Sequence, residues 1–169
     1  NQYEGYKIKI ITINELYKKK LKVNTIIHLA GKAHNKSFNK KDIKTNYNFS
    51  KELLSYAKKI NLTKFIFVST IKVYGEDTCN DRPHLENDTP NPMSNYSKSK
   101  FQIENEIINC FKNNSTKYFI LRIPLVIGPG AKGNINALIQ LLNKGFPLPF
   151  DKISNKRSYI SISNLVNQI

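Results

Sequence analysis

Tyr96 and Lys100 stand four residues apart in the run Tyr96-Ser-Lys-Ser-Lys100. On a helix that spacing puts both side chains on one face, so an ammonium and a phenol share the same small volume. A free tyrosine holds its proton up to a pKa of about 10, and a nearby cation favours the phenolate, bringing the group towards general-base work near neutrality. Phe101, Ile103, Ile107, Ile108 and Phe111 recur with helical periodicity, which places the pair in the first turns of an amphipathic helix. Alone, Tyr-x-x-x-Lys is a weak signal: many helices carry it as an exposed lysine stacked on a tyrosine. Its weight comes from what precedes it, a predicted strand that ends in two adjacent hydroxyls, Ser69 and Thr70.

The elements that must position these groups are legible as short apolar runs. Residues 25–30, 64–69 and 117–122 are β-branched or aromatic and read as strands buried on both faces. Between the first two, Phe49, Leu53, Ala57 and Ile60 mark a helix, and Ile135, Leu138, Ile139 and Leu142 mark another over about 134–143. Weaker patterns predict a strand over 6–13, a helix over 14–22 and a short final strand over 157–162, with a polar loop over 76–95. Strands alternating with helices build βαβ units around a parallel sheet. Ligands of such sheets collect at the carboxyl ends of the strands. Ala30-Gly31, Ser69-Thr70 and Arg122-Ile-Pro124 are therefore expected along one edge, beside the helix that starts near Tyr96.

The 169 residues are enough for one domain with a real core. The net charge of +15 raises the question of nucleic acid, but arginine occurs only at Arg82, Arg122 and Arg157, and the lysines are spread along the chain without interleaved aromatics. That pattern argues against a nucleic-acid binder and leaves room for an anionic small substrate. No run approaches the length of a membrane span, and the lysine-dotted start lacks the apolar stretch of a signal peptide; a soluble cytoplasmic protein is expected. Cys79 and Cys110 then read as independent thiols, and Cys79, His84 and Cys110 lack the paired spacing of a zinc site, so no metal is predicted.

Several segments, in order, resemble the extended short-chain dehydrogenase/reductases, specifically the NAD-dependent epimerase/dehydratase family that acts on nucleotide sugars. They are His28-Leu-Ala-Gly31, Asn46, Phe67-Val-Ser-Thr-Ile-Lys-Val-Tyr-Gly75, Pro92 onward to Lys100, Leu121-Arg-Ile-Pro-Leu-Val-Ile-Gly-Pro-Gly130 and Arg157-Ser-Tyr-Ile. Residues 121–166 are most similar to enzymes of surface-polysaccharide synthesis that epimerise or reduce C4 of UDP-linked N-acetylhexosamines. The resemblance implies a Rossmann-type three-layer αβα fold with a parallel sheet, incomplete at both termini. Residues 1–127 would be part of an NAD(P)-binding domain and 128–169 the start of a substrate-binding region. It implies Tyr96 as acid/base, Lys100 as its modulator and ribose ligand, and Thr70 as the hydroxyl bonded to the reacting sugar oxygen. Leu29, Ala30, Gly31, Asn46, Ile123 and Pro124 would join Tyr96 and Lys100 around NAD or NADP. Asn134 and Arg157, with Thr70, would hold a UDP-linked substrate, and a homodimer is among the expected partners.

The sequence departs from the family in lacking its opening Gly-rich turn: Gly5 stands alone before Val23. Asn164 occupies a position that is often acidic. Gly128-Pro-Gly-Ala-Lys-Gly133 satisfies G-x-G-x-x-G with Asp151 downstream, but Pro129 removes a donor from a turn that works by offering donors, so it reads as the substrate-side turn. The plain readings are a core histidine for His28, a loop cap for Thr70 and a surface ion pair for Arg157. His34 and Lys72 are candidates to approach the substrate but are not assigned. The expected activity is an NAD(P)-dependent nucleotide-sugar epimerase or 4-reductase. A non-catalytic nucleotide-sugar-binding relative, or an inactive fragment, is the alternative. A 4,6-dehydratase is disfavoured because Ile71 and Lys72 stand where that chemistry uses an Asp-Glu pair.

Overall fold

The computed structural model describes residues 12–18, 21–32, 39–78, 82–129, 134–145 and 156–169. In order they form α1 (Ile13–Lys18), β1 (Thr25–His28), α2 (Lys40–Lys59), β2 (Lys64–Thr70), a 3-10 turn (Ile71–Tyr74), α3 (Asn95–Phe111), β3 (Lys117–Ile123), β4 (Leu125–Ile127), α4 (Asn134–Asn143), β5 (Tyr159–Ser161) and α5 (Ile162–Gln168). Most of the strand expected over 6–13, and also His34, Cys79 and Asp151, lie outside the described residues.

β1, β2 and β3 make a parallel sheet in that order, with Ile26 beside Phe65, Phe65 beside Tyr118, Ser69 beside Arg122 and Thr70 beside Ile123. Alternation along each strand sends Phe65, Phe67 and Ser69 to one face and Ile66 and Val68 to the other. Helices α2 and α3 cover the first face. Leu53, Leu54 and Ala57 of α2, Ile103, Ile107 and Phe111 of α3, and Leu62, Phe65 and Phe67 form one core. Each large member contributes about 1.5–3 kcal/mol through burial. On the opposite face Ile27 and Phe119 remain 45% and 47% exposed among the described residues. The architecture is a Rossmann-type α/β fold.

Local chemistry fixes where the helices begin. Asn39 caps α2 and shares a capping box with Asp42, and Ser94 caps α3 with Ser97 in the reciprocal position. After α2, Asn61 takes φ 49°, the left-handed turn that brings the chain back to β2. Two elements were not expected. β4 follows β3 after Pro124 and pairs in parallel with β5, and α5 starts immediately after β5 on a Ser161 cap. β5 is shorter than the strand expected over 157–162, because the serine cap turns Ile162 into a helix. β4 lies before the expected boundary at 127/128 and β5 after it, so the two segments share a sheet. Gly128 is required here: a Cβ on it would sit 2.6 Å from Cγ2 of Ile162.

Among the described residues no helix is long and apolar enough to cross a membrane, and no three metal-ligating side chains cluster.

Candidate active site

The carboxyl ends of the strands carry the candidate groups. Thr70 closes β2 and is buried; its Oγ1 accepts from the Lys72 backbone N–H at 3.3 Å and caps the 3-10 turn. Its register partner is Ile123, the last residue of β3, with Pro124 next in the chain. Asn91 donates to the Val73 carbonyl at 2.8 Å, which ties the loop leading into α3 to that same turn. Tyr96 is the second residue of α3, immediately after the Ser94 cap, and Lys100 follows one turn later. Thr70 and the Tyr96–Lys100 pair thus lie on elements joined at one sheet edge.

Lys100 is 7% exposed, with its Nζ donating to the Val68 carbonyl at 2.9 Å and lying 4.6 Å from the Phe67 ring centroid. Burial pushes its ammonium down to about 8, and the charge of Glu104 opposes that fall. Burial pushes the Tyr96 phenol above the usual tyrosine range. The net direction is upward and set by burial, where the spacing with Lys100 led one to expect a lowering.

Past β1, the backbone of residues 29–32 forms one wall of a cavity of about 280 Å³ lined by Ala30, Gly31, Lys32, Thr45, Asn46 and Phe49. Gly31 takes φ 149° with the Asn46 amide 3.5 Å from where a Cβ would stand. The Asn46 side chain accepts from the Lys32 N–H at 2.9 Å and donates to the Lys32 carbonyl at 3.1 Å, a two-point clamp that holds this wall. The Lys32 ammonium is paired with buried Asp42 at 2.8 Å. Leu29 is 62% exposed at the same edge. An open, largely apolar basin behind a glycine wall suits a flat aromatic ring, and so the residues present fit a nicotinamide cofactor.

The more distant substrate residues are less gathered. Arg157 is exposed, two residues before Tyr159, which pairs with Leu125 just beyond Pro124. Asn134 begins α4, but its side chain, like residues 130–133 of the glycine turn, lies outside the described residues. His28 is a core residue: its Nε2 donates to Ser50 Oγ at 2.7 Å, whose own hydroxyl donates to the Asn46 carbonyl, and burial pushes its pKa down to about 4. Lys72 pairs with Glu76 at 2.8 Å on the surface.

Beneath the site lies a group that the sequence reading passed over. Glu104 is fully buried one turn beyond Lys100 and accepts from Ser69 Oγ, from Arg122 Nε at 3.1 Å and from Arg122 Nη2 at 2.7 Å. Arg122 also donates to the Tyr74 hydroxyl at 2.7 Å. Tyr74 in turn donates to the Glu86 carbonyl and stacks on His84. The available signal was spacing: Glu104 follows Ile103 on the face that also carries Tyr96 and Lys100.

Comparison with known proteins identifies the family. A model described as "NAD dependent epimerase/dehydratase family" matches residues 7–169. A UDP-glucose 4-epimerase of Vibrio cholerae is 43% identical over 107 residues, 63% of this chain and 33% of the relative. A dTDP-D-glucose 4,6-dehydratase of Dictyostelium discoideum is 29% identical over 139 residues, 75% of this chain and 32% of the relative. Among solved structures, UDP-glucuronic acid 4-epimerase from Bacillus cereus, in complex with UDP-glucuronic acid and NAD, aligns with a TM-score of 0.74 at 26% identity over 92% of this chain and 50% of that one. The chain spans about a third of the length of these curated relatives. With a family model matched over residues 7–169 and a Rossmann-type parallel sheet, the chain belongs to the NAD-dependent epimerase/dehydratase family.

Proposed function

We propose that the protein carrying this chain is an NAD-dependent nucleotide-sugar 4-epimerase or 4-reductase acting on a UDP-linked hexose or N-acetylhexosamine. What supports the reading is the placement of Thr70 at the end of β2, with Tyr96 and Lys100 in the first turns of α3 and Lys100 bonded to the Val68 carbonyl, together with the basin lined by Ala30 and Gly31. NAD, when bound, supplies the hydride acceptor and donor at the sugar carbon. Tyr96 handles the proton of the C4 oxygen, giving it up during reduction and taking it during oxidation. The Thr70 hydroxyl, already an acceptor for the Lys72 N–H, has its own hydrogen available for that oxygen. Lys100 supplies the positive charge that lets the phenol release its proton, which requires the ammonium to act on Tyr96 in addition to the Val68 carbonyl. Ala30, Gly31 and Asn46 shape the cofactor side, with Leu29, Ile123 and Pro124 at its margins. Asn134 and Arg157 serve the diphosphate.

The dehydratase among the relatives needs a separate acid and base to expel water. Here the two residues after Thr70 are Ile71 and Lys72, and Lys72 is paired with Glu76, which favours the epimerase or reductase reading. The test is interconversion of UDP-glucose with UDP-galactose, and of the N-acetyl pair, in the presence of NAD, with reduction of a 4-keto sugar assayed using NADH. Tyr96→Phe is expected to lower turnover by about 100-fold to 10,000-fold while NADH still binds. Full turnover by the variant refutes Tyr96 as the acid/base. Binding of UDP-sugar with no conversion by the unsubstituted protein favours the non-catalytic reading.

A further inference from the structure

We propose that Glu104 is a positioning residue for this reaction: one buried carboxylate ties Ser69 at the end of β2 and Arg122 near the end of β3 to helix α3, and through them fixes Thr70 and Lys100 relative to each other. The inference deepens the proposed function and rests on it. Glu104 is 0% exposed, and the contacts its oxygens make run to side chains of two different strands. Ser69 is the residue immediately before Thr70, and Arg122 the residue immediately before Ile123, the register partner of Thr70. Strand alternation explains the division of labour. Ser69 and Arg122 point towards α3 and are held there, which leaves Thr70 and Ile123 fixed by the strands on either side. A buried ion pair is a costly way to gain stability, and its better-attested use is to specify one arrangement.

The second consequence is electrostatic. The charge of Glu104, from the same helix, raises the Lys100 pKa against burial, and Lys100 in turn acts on His28 of β1. His28 is neutral at physiological pH, bonded to the uncharged Ser50 of α2. Arg122 of β3 is bound to Glu104, and Tyr96 lies one turn before Lys100 on α3. The carboxylate therefore favours the Lys100 ammonium against the effect of burial, alongside the Val68 carbonyl and the Phe67 ring that the ammonium faces. Arg122 offsets part of that field and is itself 22% exposed in its side chain, so it can be solvated when its partner changes.

Glu104→Gln keeps the shape of the side chain and one accepting oxygen, exchanges the other for a donor, and removes the charge. It is expected to move the alkaline limb of the kcat/KM profile down by about one pH unit, and the NMR titration of the Lys100 ammonium by the same amount. Glu104→Asp, which keeps the charge, brings both back towards the original values. Ser69→Ala removes one tie and leaves the charge; it is expected to lower kcat by about tenfold with KM and the alkaline limb unmoved. A Lys100 titration unchanged in Glu104→Gln, with activity lost evenly across pH in proportion to lost stability, overturns the electrostatic role. Ser69→Ala at full kcat overturns the geometric one. If the protein turns over no nucleotide sugar, the functional reading fails, and the Lys100 titration still decides the proposal for Glu104.

Discussion

Acidification should reveal His28. Its ring is 2% exposed among Phe49, Phe65 and Phe67, Nε2 is satisfied by Ser50, and Nδ1 has no hydrogen-bond partner, so protonation would bury an uncompensated charge. Its folded pKa of about 4 lies below the 6.5 of the unfolded chain. Between those values the unfolded state binds the extra proton, so stability is full above pH 6.5 and falls as the pH drops towards 4. Integrating the linkage from pH 7.5 to 4.5 gives a loss of about 2.5 kcal/mol from this one ring. His28→Gln keeps a donor for Ser50 and does not titrate. Urea unfolding of both proteins at pH 7.5, 6.0, 5.0 and 4.5 isolates the effect, because carboxylates such as Asp42 contribute equally to each and cancel in the difference. The stability advantage of the original protein over the variant should shrink by about 2.5 kcal/mol across that range. A difference that is flat with pH refutes the reasoning and means that the buried ring finds a partner for its second proton.

Two further predictions concern how the site is held. Gly128→Ala is expected to destabilise the β4–α5 contact by about 1–3 kcal/mol, because its Cβ meets Ile162, and Ile162→Ala should recover most of that in thermal unfolding. A Gly128→Ala protein as stable as the original means that the approach relaxes without cost. Ser94→Ala removes the cap on α3 just before Tyr96 and should cost about 1 kcal/mol, read as a fall of about 2–4 °C in Tm. No change in Tm would show that Ser97 alone suffices to start the helix.

The sequence by itself determined the parts of the molecule that depend on local periodicity. The apolar runs over 25–30, 64–69 and 117–122 read as strands and fold as 25–28, 64–70 and 117–123, although the face carrying Ile27 and Phe119 is half exposed rather than buried, and the helix that carries Tyr96 follows from apolar residues at helical spacing. Those elements, taken with the rule that parallel strands open their ligand sites at the carboxyl edge, led one to expect Thr70 near the helix start that carries Tyr96 and Lys100, while the family was suggested by the resemblance of the ordered motifs. β4 and α5 escaped notice because a three-residue strand and a seven-residue helix are too short for a period to show, and each owes its existence to a neighbour distant in sequence: β5 for β4, and the contact of Ile162 with Gly128 for α5.

Tertiary structure alone decided what the site residues do with their charges. Four-residue spacing put Lys100 beside Tyr96, but it could not say that Nζ would bond the Val68 carbonyl, 32 positions earlier in the chain, or that burial would raise the phenol. Asn46 was singled out for the cofactor, and only folding showed its amide closing on the Lys32 backbone to make the wall. Glu104 in a sequence is one more carboxylate on an amphipathic helix. It becomes the tie between α3 and two strands because the strand register sends Ser69 and Arg122 to the same face of the sheet, and desolvation then gives their meeting with one carboxylate an energy that neither could have in water.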